Sequence, residues 1–487
     1  MVVEFNYDPK RKEVKIVSDY LSNIKEHFSV KNAAARFNRY QRFLPQRIYA
    51  ITNSGYCGIG LVPEIIDYLK TQAIPFEIKT NQEYSDIVRK THIVGPGLDE
   101  LVKKLKSNFE LRDYQQIAIN NALDKGYGVV ELATGGGKTL IIANLVYAAL
   151  HHIEPTEKIL IVVPDLGLVS QTFKDFTSYN FPMEIVSKWT GDSELDPNAR
   201  VIIANMGILQ SKQSDITWFN KAGLLVVDEC HKLRRGNKVC KLIDKIPTLR
   251  RIGFTGTLPE NNIDKWNINN YIGPVIFKKT TTELRETAGG KYIANAQALA
   301  LNIEYNVKPD YNEVSASQRY LTELEFIHNS DFRNLLISKV IDKFKNNCLI
   351  LIDHIAHGEK LYDKLSTNLK DKQVFFIQGS VEVEDRLKIQ QLMEQHDNIV
   401  CIAISKIFST GISIKNIHYI IFAAGGKSKI KTLQSIGRGL RTNENKSVLT
   451  IIDIVDNLVY GKKHFQKRKE FYDLENIQTT IKQINES

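Results

Sequence analysis

The spacing of apolar residues changes character along the chain. Over the first ninety residues, short apolar runs broken by turns (EVKIV, QRIYAITNSGYCGIG) surround one amphipathic segment, LVPEIIDYLKTQA. That mixture predicts a small α+β domain over residues 1–90. From about residue 109 the chain repeats a strand-turn-helix texture: YGVVELATGGGKTLIIANLVYAAL, KILIVVPDLGLVSQTFKDF, VIIANM, GLLVVDEC and RRIGFTGT. Strands apolar on both faces must be covered on both, and interleaved helices supply that cover, so a parallel sheet is predicted within residues 91–275. Residues 276–330 are less regular and are read as a connection with added strands. A second series (NNCLILIDH, QVFFIQGS, NIVCIAIS, IHYIIFAAGG, VLTIIDIVD) predicts another parallel-sheet domain over 331–460, and the polar stretch 461–487 is read as a C-terminal helix. The expected class is α/β: two tandem parallel-sheet domains behind a small α+β N-terminal domain.

Composition narrows the partners. Lys and Arg number 65 against 55 Asp and Glu, a net charge of +10, which favours polyanions such as nucleic acid. The five cysteines, Cys57, Cys230, Cys240, Cys348 and Cys401, show no metal-ligand spacing, and no run approaches the length of a membrane span. A cytoplasmic protein is expected, in the host-cell cytoplasm if phage-encoded.

The chemistry concentrates in the first α/β domain. In LATGGGKTL an apolar strand enters a glycine-rich loop and a helical run leaves it. Thr134, Gly135, Gly136 and Gly137 let backbone N–H groups turn toward phosphates, Lys138 supplies charge at the β- and γ-phosphates, and the Thr139 hydroxyl suits Mg²⁺. Leu132 replaces the first glycine of the general pattern. A second apolar strand, LLVV, runs into Asp228, Glu229, Cys230 and His231. Two acids at the end of a buried strand are costly unless a cation or a reaction uses them. Asp228 is therefore read as the Mg²⁺ anchor through water and Glu229 as the group that positions the attacking water. The segments FAAGGKSKI and TIIDIVD imitate this pair in the second domain, but Ile454 follows Asp453 where an acid would be needed, and one ATP site is expected. QSIGRGLR sets Arg438 and Arg441 on one helix face beside Gln434, placed to neutralise γ-phosphate charge as arginine fingers do.

Together these segments resemble the motif series of superfamily 2 helicases and translocases. LRDYQ resembles the adenine-reading Q-motif, ATGGGKT motif I, PDLGLVSQ motif Ia, DECH motif II, TGT motif III, STGISI motif V and QSIGRGLR motif VI. The resemblance implies two RecA-like domains, ATP and Mg²⁺ as cofactors, and adenine-side contacts from Gln115 and Arg112. It also implies nucleotide contacts from Gln434 and Gly411, coupling through Thr255 and Thr257, and strand-backbone contacts near Gln171, Gly379 and Thr410. Within the superfamily, RFLPQRIYAITNSGYCGIGLVPEI, FSTGISIKN and KSKIKTLQSIGRGLR are similar to phage recombination helicases of the UvsW type.

Behind such a motor, the stretch RFNRYQRFLPQR acquires a purpose. Arg36, Arg39, Arg42 and Arg47 carry charge with no acid among them, interleaved with Phe37, Tyr40 and Phe43. Arginines neutralise phosphates and aromatic rings stack on unpaired bases, although the same rings at that spacing also suit a core-facing helix. The basic cluster Lys462, Lys463, Lys467, Arg468 and Lys469 either extends this track or forms a solvated helix face. The expected function is ATP-dependent remodelling of branched or forked DNA in recombination, repair or replication, with proteins of those processes as possible partners. An RNA helicase, and an ATP-switched DNA-binding translocase that separates no strands, stay open as alternatives.

Overall fold

The structure is a computed structural model that describes residues 2–32, 45–74, 76–93, 105–191, 195–211, 220–234, 236–286, 294–312, 314–315, 318–379, 381, 383–405, 414, 416–424, 436 and 448–486. The chain divides into two compact units. One comprises Met1–Leu132 and Gly137–Lys278, the other Ala133–Gly136 and Lys279–Ser487.

The first unit opens with a four-stranded sheet in the order Tyr56–Cys57, Glu13–Val17, Val2–Asp8, Glu77–Thr80. Val2–Asp8 runs antiparallel to Glu13–Val17 and parallel to Glu77–Thr80. Alternation builds it: Val3, Phe5, Val14 and Ile16 face inward and are buried, with polar neighbours between them. The predicted amphipathic segment is the helix Val62–Thr71, which buries Val62, Ile65 and Leu69. This small core is not self-contained, because Trp266 belongs to it and Leu249 and Ile263 pack against it. The glycines of GYCGIG permit that approach: a Cβ on Gly58 would lie 2.0 Å from the Asn270 carbonyl oxygen, and one on Gly60 2.3 Å from that of Asn269. No residue with a side chain fits there.

The same unit holds a seven-stranded sheet ordered Val275–Lys279, Tyr127–Leu132, Arg251–Thr255, Ala222–Asp228, Lys158–Val163, Val201–Asn205, Val186–Trp189. Pairings from Tyr127–Leu132 to the Val186–Trp189 edge are parallel. Two-sided burial explains the unbroken apolar runs: Ile159 to Val163 and Leu224 to Val227 are wholly inaccessible. The strands that precede ATGGGKT, follow with TGT and lead into DECH are neighbours, so their carboxyl ends meet at one edge of the sheet. Open α/β sheets bind ligands at such edges.

The second unit carries seven parallel strands: Gln373–Ile377, Ile399–Ile404, Cys348–Ile352, Tyr419–Phe422, Val448–Asp456, Asn295–Glu304, Gln478–Asn485. The tandem α/β architecture expected from the sequence is thus present. The C-terminal stretch corrects the reading of residues 461–487 as a single polar helix. A helix spans Val459–Leu474, and Gln478–Asn485 then adds an edge strand beside Asn295–Glu304. That strand is exposed along most of its length, so it lacks the apolar alternation that marks a half-buried strand. The basic cluster is also divided. Lys467 and Lys469 make exposed pairs with Glu470 and Asp473, whereas Arg468 is buried against Asp453. Among the described residues no helix is long and apolar enough to cross a membrane.

Candidate active site

The loop after Tyr127–Leu132 turns through left-handed backbone at Gly135 (φ +88°) and Gly137 (φ +82°) and enters the helix Lys138–Ala149. The free N–H groups at that helix start form an anion site, with Lys138 and Thr139 in the first turn. Gly137 is also pressed from outside: a Cβ there would lie 2.4 Å from the Gln115 side-chain nitrogen. Gln115 is buried, and its amide oxygen accepts the Arg112 backbone N–H at 3.0 Å. The Arg112 guanidinium donates to the Tyr114 hydroxyl at 2.9 Å. The LRDYQ segment therefore lies directly against the phosphate loop.

Across from Lys138, the strand Ala222–Asp228 ends and the chain twists sharply. Glu229 adopts φ +51°, ψ +46°, uncommon for a residue with a side chain. Its N–H donates back to Asp228 Oδ1 at 2.9 Å. Glu229 Oε1 stands 4.0 Å from Lys138 Nζ, and Oε2 stands 3.2 Å from His231 Nδ1. His231 Nδ1 lies 3.0 Å from the Thr255 hydroxyl, which donates to the Thr257 carbonyl at 3.0 Å and accepts the Thr257 N–H at 3.3 Å. With the hydroxyl proton committed to Thr257, the Thr255 oxygen is left as an acceptor toward His231 Nδ1, and Glu229 Oε2 stands within ion-pair distance of the same nitrogen. Lys138, Glu229, His231, Thr255 and Thr257 thus form one continuous line.

Charge in this line is unbalanced. Burial pushes the Asp228 carboxyl up to about 7, reinforced by the Glu229 charge and opposed by Lys138. A buried acid beside a second acid favours a cation in its neighbourhood. Among the described residues no three His, Cys, Asp or Glu side chains form a metal cage. Mg²⁺ needs none, since one or two side chains with phosphate oxygens and water complete its shell. Thr139 and Asp228 fit that role.

The other expected positions are distributed as follows. Gln171, on the helix Leu166–Ser178, donates to Asp175 at 2.8 Å, and the Asp165 carboxylate caps that helix through the Leu168 N–H. Arg47 pairs with Glu26 at 3.1 Å and donates to the Ser29 hydroxyl at 2.8 Å. Gly379 is exposed in the second unit, and its carbonyl accepts from Arg386 at 2.9 Å. Arg36, Arg39, Arg42, Thr410, Gly411, Gln434, Arg438 and Arg441 lie outside the described residues. Sequence reasoning assigned no role to His231, the link between Glu229 and Thr255, which the fourth letter of DECH could have signalled. Glu131, one residue before the strand end, ties the neighbouring segments by accepting the Leu258 N–H at 3.4 Å and pairing with Lys278 at 3.1 Å.

Residues 108–260 match the family described as type III restriction enzyme, res subunit, and residues 327–443 match the helicase conserved C-terminal domain. A curated relative, the ATP-dependent DNA helicase uvsW of Enterobacteria phage T4, is 30% identical over 408 residues, covering 80% of this chain and 78% of that protein. The chain belongs to the UvsW family of superfamily 2 helicases. The DNA 3'-5' translocase XPB2 of Sulfurisphaera tokodaii is 24% identical over 400 residues, 75% of this UvsW-family chain and 86% of its own length. A solved fragment of a putative HsdR subunit of a type I restriction enzyme from Vibrio vulnificus YJ016 superposes with a TM-score of 0.57. It is 17% identical and covers 90% of this chain and 88% of that one, a likeness of fold. In the UvsW-family chain the first matched stretch contains the whole line from Arg112 to Thr257, and residues 1–107 lie outside both matches.

Proposed function

We propose that the protein is an ATP-dependent DNA helicase or translocase that remodels branched or forked DNA. The observation that carries this reading is the unbroken line from Lys138 through Glu229 and His231 to Thr255 and Thr257, in a chain of the UvsW family. When bound, ATP with Mg²⁺ supplies the γ-phosphoryl group and the positive charge that balances its transfer to water. Lys138 and the N–H groups at the helix start would hold the phosphates, and Thr139 and Asp228 would hold the metal. Glu229 orients the attacking water and takes its proton, a role suited to a carboxylate kept in place by His231. The His231 proton follows the charge on Glu229, and its bond to Thr255 carries that change into the TGT segment. Gln115 and Arg112 serve the adenine side. Arg438, Arg441, Gln434 and Gly411 are assigned to the nucleotide from their motifs alone, as Gln171, Gly379 and Thr410 are to the strand. Arg36, Arg39, Arg42 and Arg47 are assigned to the branched substrate, and recombination or replication proteins are the expected partners.

The test is ATP-driven strand separation on matched fork, four-way-junction and linear DNA and on an RNA duplex, with Glu229→Gln as the inactive control. Preference for the branched DNAs is expected. Equal or better activity on RNA overturns the DNA assignment, and hydrolysis without displacement reassigns the protein as a translocase.

A further inference from the structure

A cavity of about 920 Å³ opens in the first unit, lined by the N-terminal sheet on one side and by Arg251, Asn270 and Tyr271 on the other. Arg251 begins the strand that ends at Thr255, so the cavity lies at the far end of that strand from the hydrolytic line, roughly 13 Å away at the usual strand rise. No residue assigned to ATP lines it.

Its volume falls within the range of small-ligand sites. Its chemistry is more selective. The turn DPKRKE places Arg11 and Lys12 at the rim, the Asp8 carboxylate accepting the Lys10 and Arg11 N–H groups at 3.0 and 3.2 Å and Lys12 completing the turn at φ +57°. The Arg11 guanidinium sits 4.5 Å from the centre of the Tyr56 ring, and Lys25 Nζ sits 5.2 Å from that of Tyr49. Both rings line the cavity. Aromatic faces with adjoining cations match a nucleotide, whose base stacks while its phosphate takes the charge. Deeper, Glu13 and Asp244 also line the space, and burial pushes both carboxyls up. A carboxylate inside repels phosphate but accepts from the amino group of a base. Arg251 recruits nothing, since its guanidinium donates to the carbonyls of Thr248, Tyr271, Ile243 and Ile246. Arg47, on the same wall, is oriented by its pair with Glu26 and its hydrogen bond to Ser29.

We propose that this cavity captures one unpaired nucleotide of the DNA substrate, with its base between Tyr49 and Tyr56 and its phosphate at Arg11 and Lys12. The proposal rests on the DNA-motor reading above. Its consequence for the motor is mechanical. The helix Asn262–Tyr271, which begins shortly after Thr257, is fastened to the loops and helix around the N-terminal sheet. Gly58 N–H donates to Asn270 at 2.8 Å, Asn270 to the Ala50 carbonyl at 3.1 Å, and Trp266 and Asn269 to Glu64 at 2.9 and 2.7 Å. A nucleotide seated against Asn270 therefore touches the element that continues the TGT segment.

The experiment is photo-cross-linking of the full chain to forked DNA carrying 5-bromodeoxyuridine in the unpaired arm next to the junction, with the modified peptide identified by mass spectrometry. Attachment at Tyr49 or Tyr56, unaffected by excess deoxycytidine monophosphate, is expected. Attachment only elsewhere overturns the cavity and leaves the helicase reading standing, and loss of attachment to the free nucleotide assigns the site to a soluble ligand and overturns it too. If DNA neither cross-links nor stimulates hydrolysis, the motor reading falls as well. In binding assays Tyr56→Leu should weaken fork affinity about tenfold with blunt-duplex affinity unchanged, and Tyr56→Phe, which keeps the ring, should restore it. Equal loss on fork and blunt duplex would mark the tyrosine as structural and overturn the assignment.

Discussion

The strands Ala222–Asp228 and Val448–Asp456 resemble each other closely: each is an apolar strand within a parallel sheet, and each ends in carboxylates. Their surroundings differ completely. Asp453 accepts from Arg468 at 2.9 and 2.7 Å and from the Tyr472 hydroxyl at 2.7 Å. Asp456 accepts from Arg333 at 2.9 Å and from the Tyr305 hydroxyl at 2.6 Å. Both acids and both arginines are buried, so these two carboxylate charges are cancelled where they stand. Asp228 accepts its neighbour's N–H and feels the charges of Lys138 and Lys232, with no guanidinium bonded to it among the described residues, and Glu229 adds a second carboxylate beside it. The lesson is that an acid after an apolar strand indicates chemistry only when the fold leaves it without a full counter-charge. That surplus leaves the first strand end suited to a cation, whereas the second is a structural joint.

The comparison can be broken in four ways. The largest effect is expected from Glu229→Gln, which removes the proton acceptor and should lower ATP turnover by about 10³-fold while ATP binding persists. Turnover within tenfold of wild type would remove Glu229 from the mechanism. Next, Arg468→Met strands Asp453 in the core and should cost about 3–5 kcal/mol in urea denaturation. Adding Asp453→Asn should recover most of that loss, and a cost below 1 kcal/mol would show that the joint is not structural. Asp228→Asn should act with the opposite sign. The Asp228 carboxyl keeps its proton up to about pH 7 in the fold and only to about pH 4 when unfolded. The native state therefore binds more protons across that window, and stability falls as pH climbs through it. Without nucleotide or divalent cation, Asp228→Asn should gain about 1–3 kcal/mol at pH 8 and nothing at pH 4, and destabilisation at pH 8 would contradict the assignment. The smallest effect concerns the relay. His231→Ala and Thr255→Val should each lower DNA-stimulated hydrolysis about tenfold, and the double variant should be no worse than either alone. Additive losses would mean that the two side chains act separately.

Much of this was legible in the chain itself. LLVV before DECH and GVVEL before the glycine loop read as two-sided buried strands because burial on both faces removes every polar position, a local property of composition. Gly135, Gly137, Lys138, Thr139, Asp228 and Glu229 could be named because strand-loop-helix order brings such residues to the carboxyl edge of any parallel sheet. The contact between His231 and Thr255 needed the sheet order that sets Arg251–Thr255 beside Ala222–Asp228. Sequence alone does not contain that order.

The sequence by itself thus determined the two α/β halves, the phosphate loop and the paired acids, since each depends on neighbours within a few residues. Only the tertiary structure decided that Arg468 is a buried counter-ion, although it stands among lysines that face solvent. It alone brought Arg333 to Asp456 across 123 residues, made Gln478–Asn485 an edge strand and shaped an open cavity between Tyr56 and Asn270. The physical reason is common to all of these. Periodicity records whether a residue is covered, whereas charge cancellation, edge pairing and cavity shape depend on which distant segment does the covering.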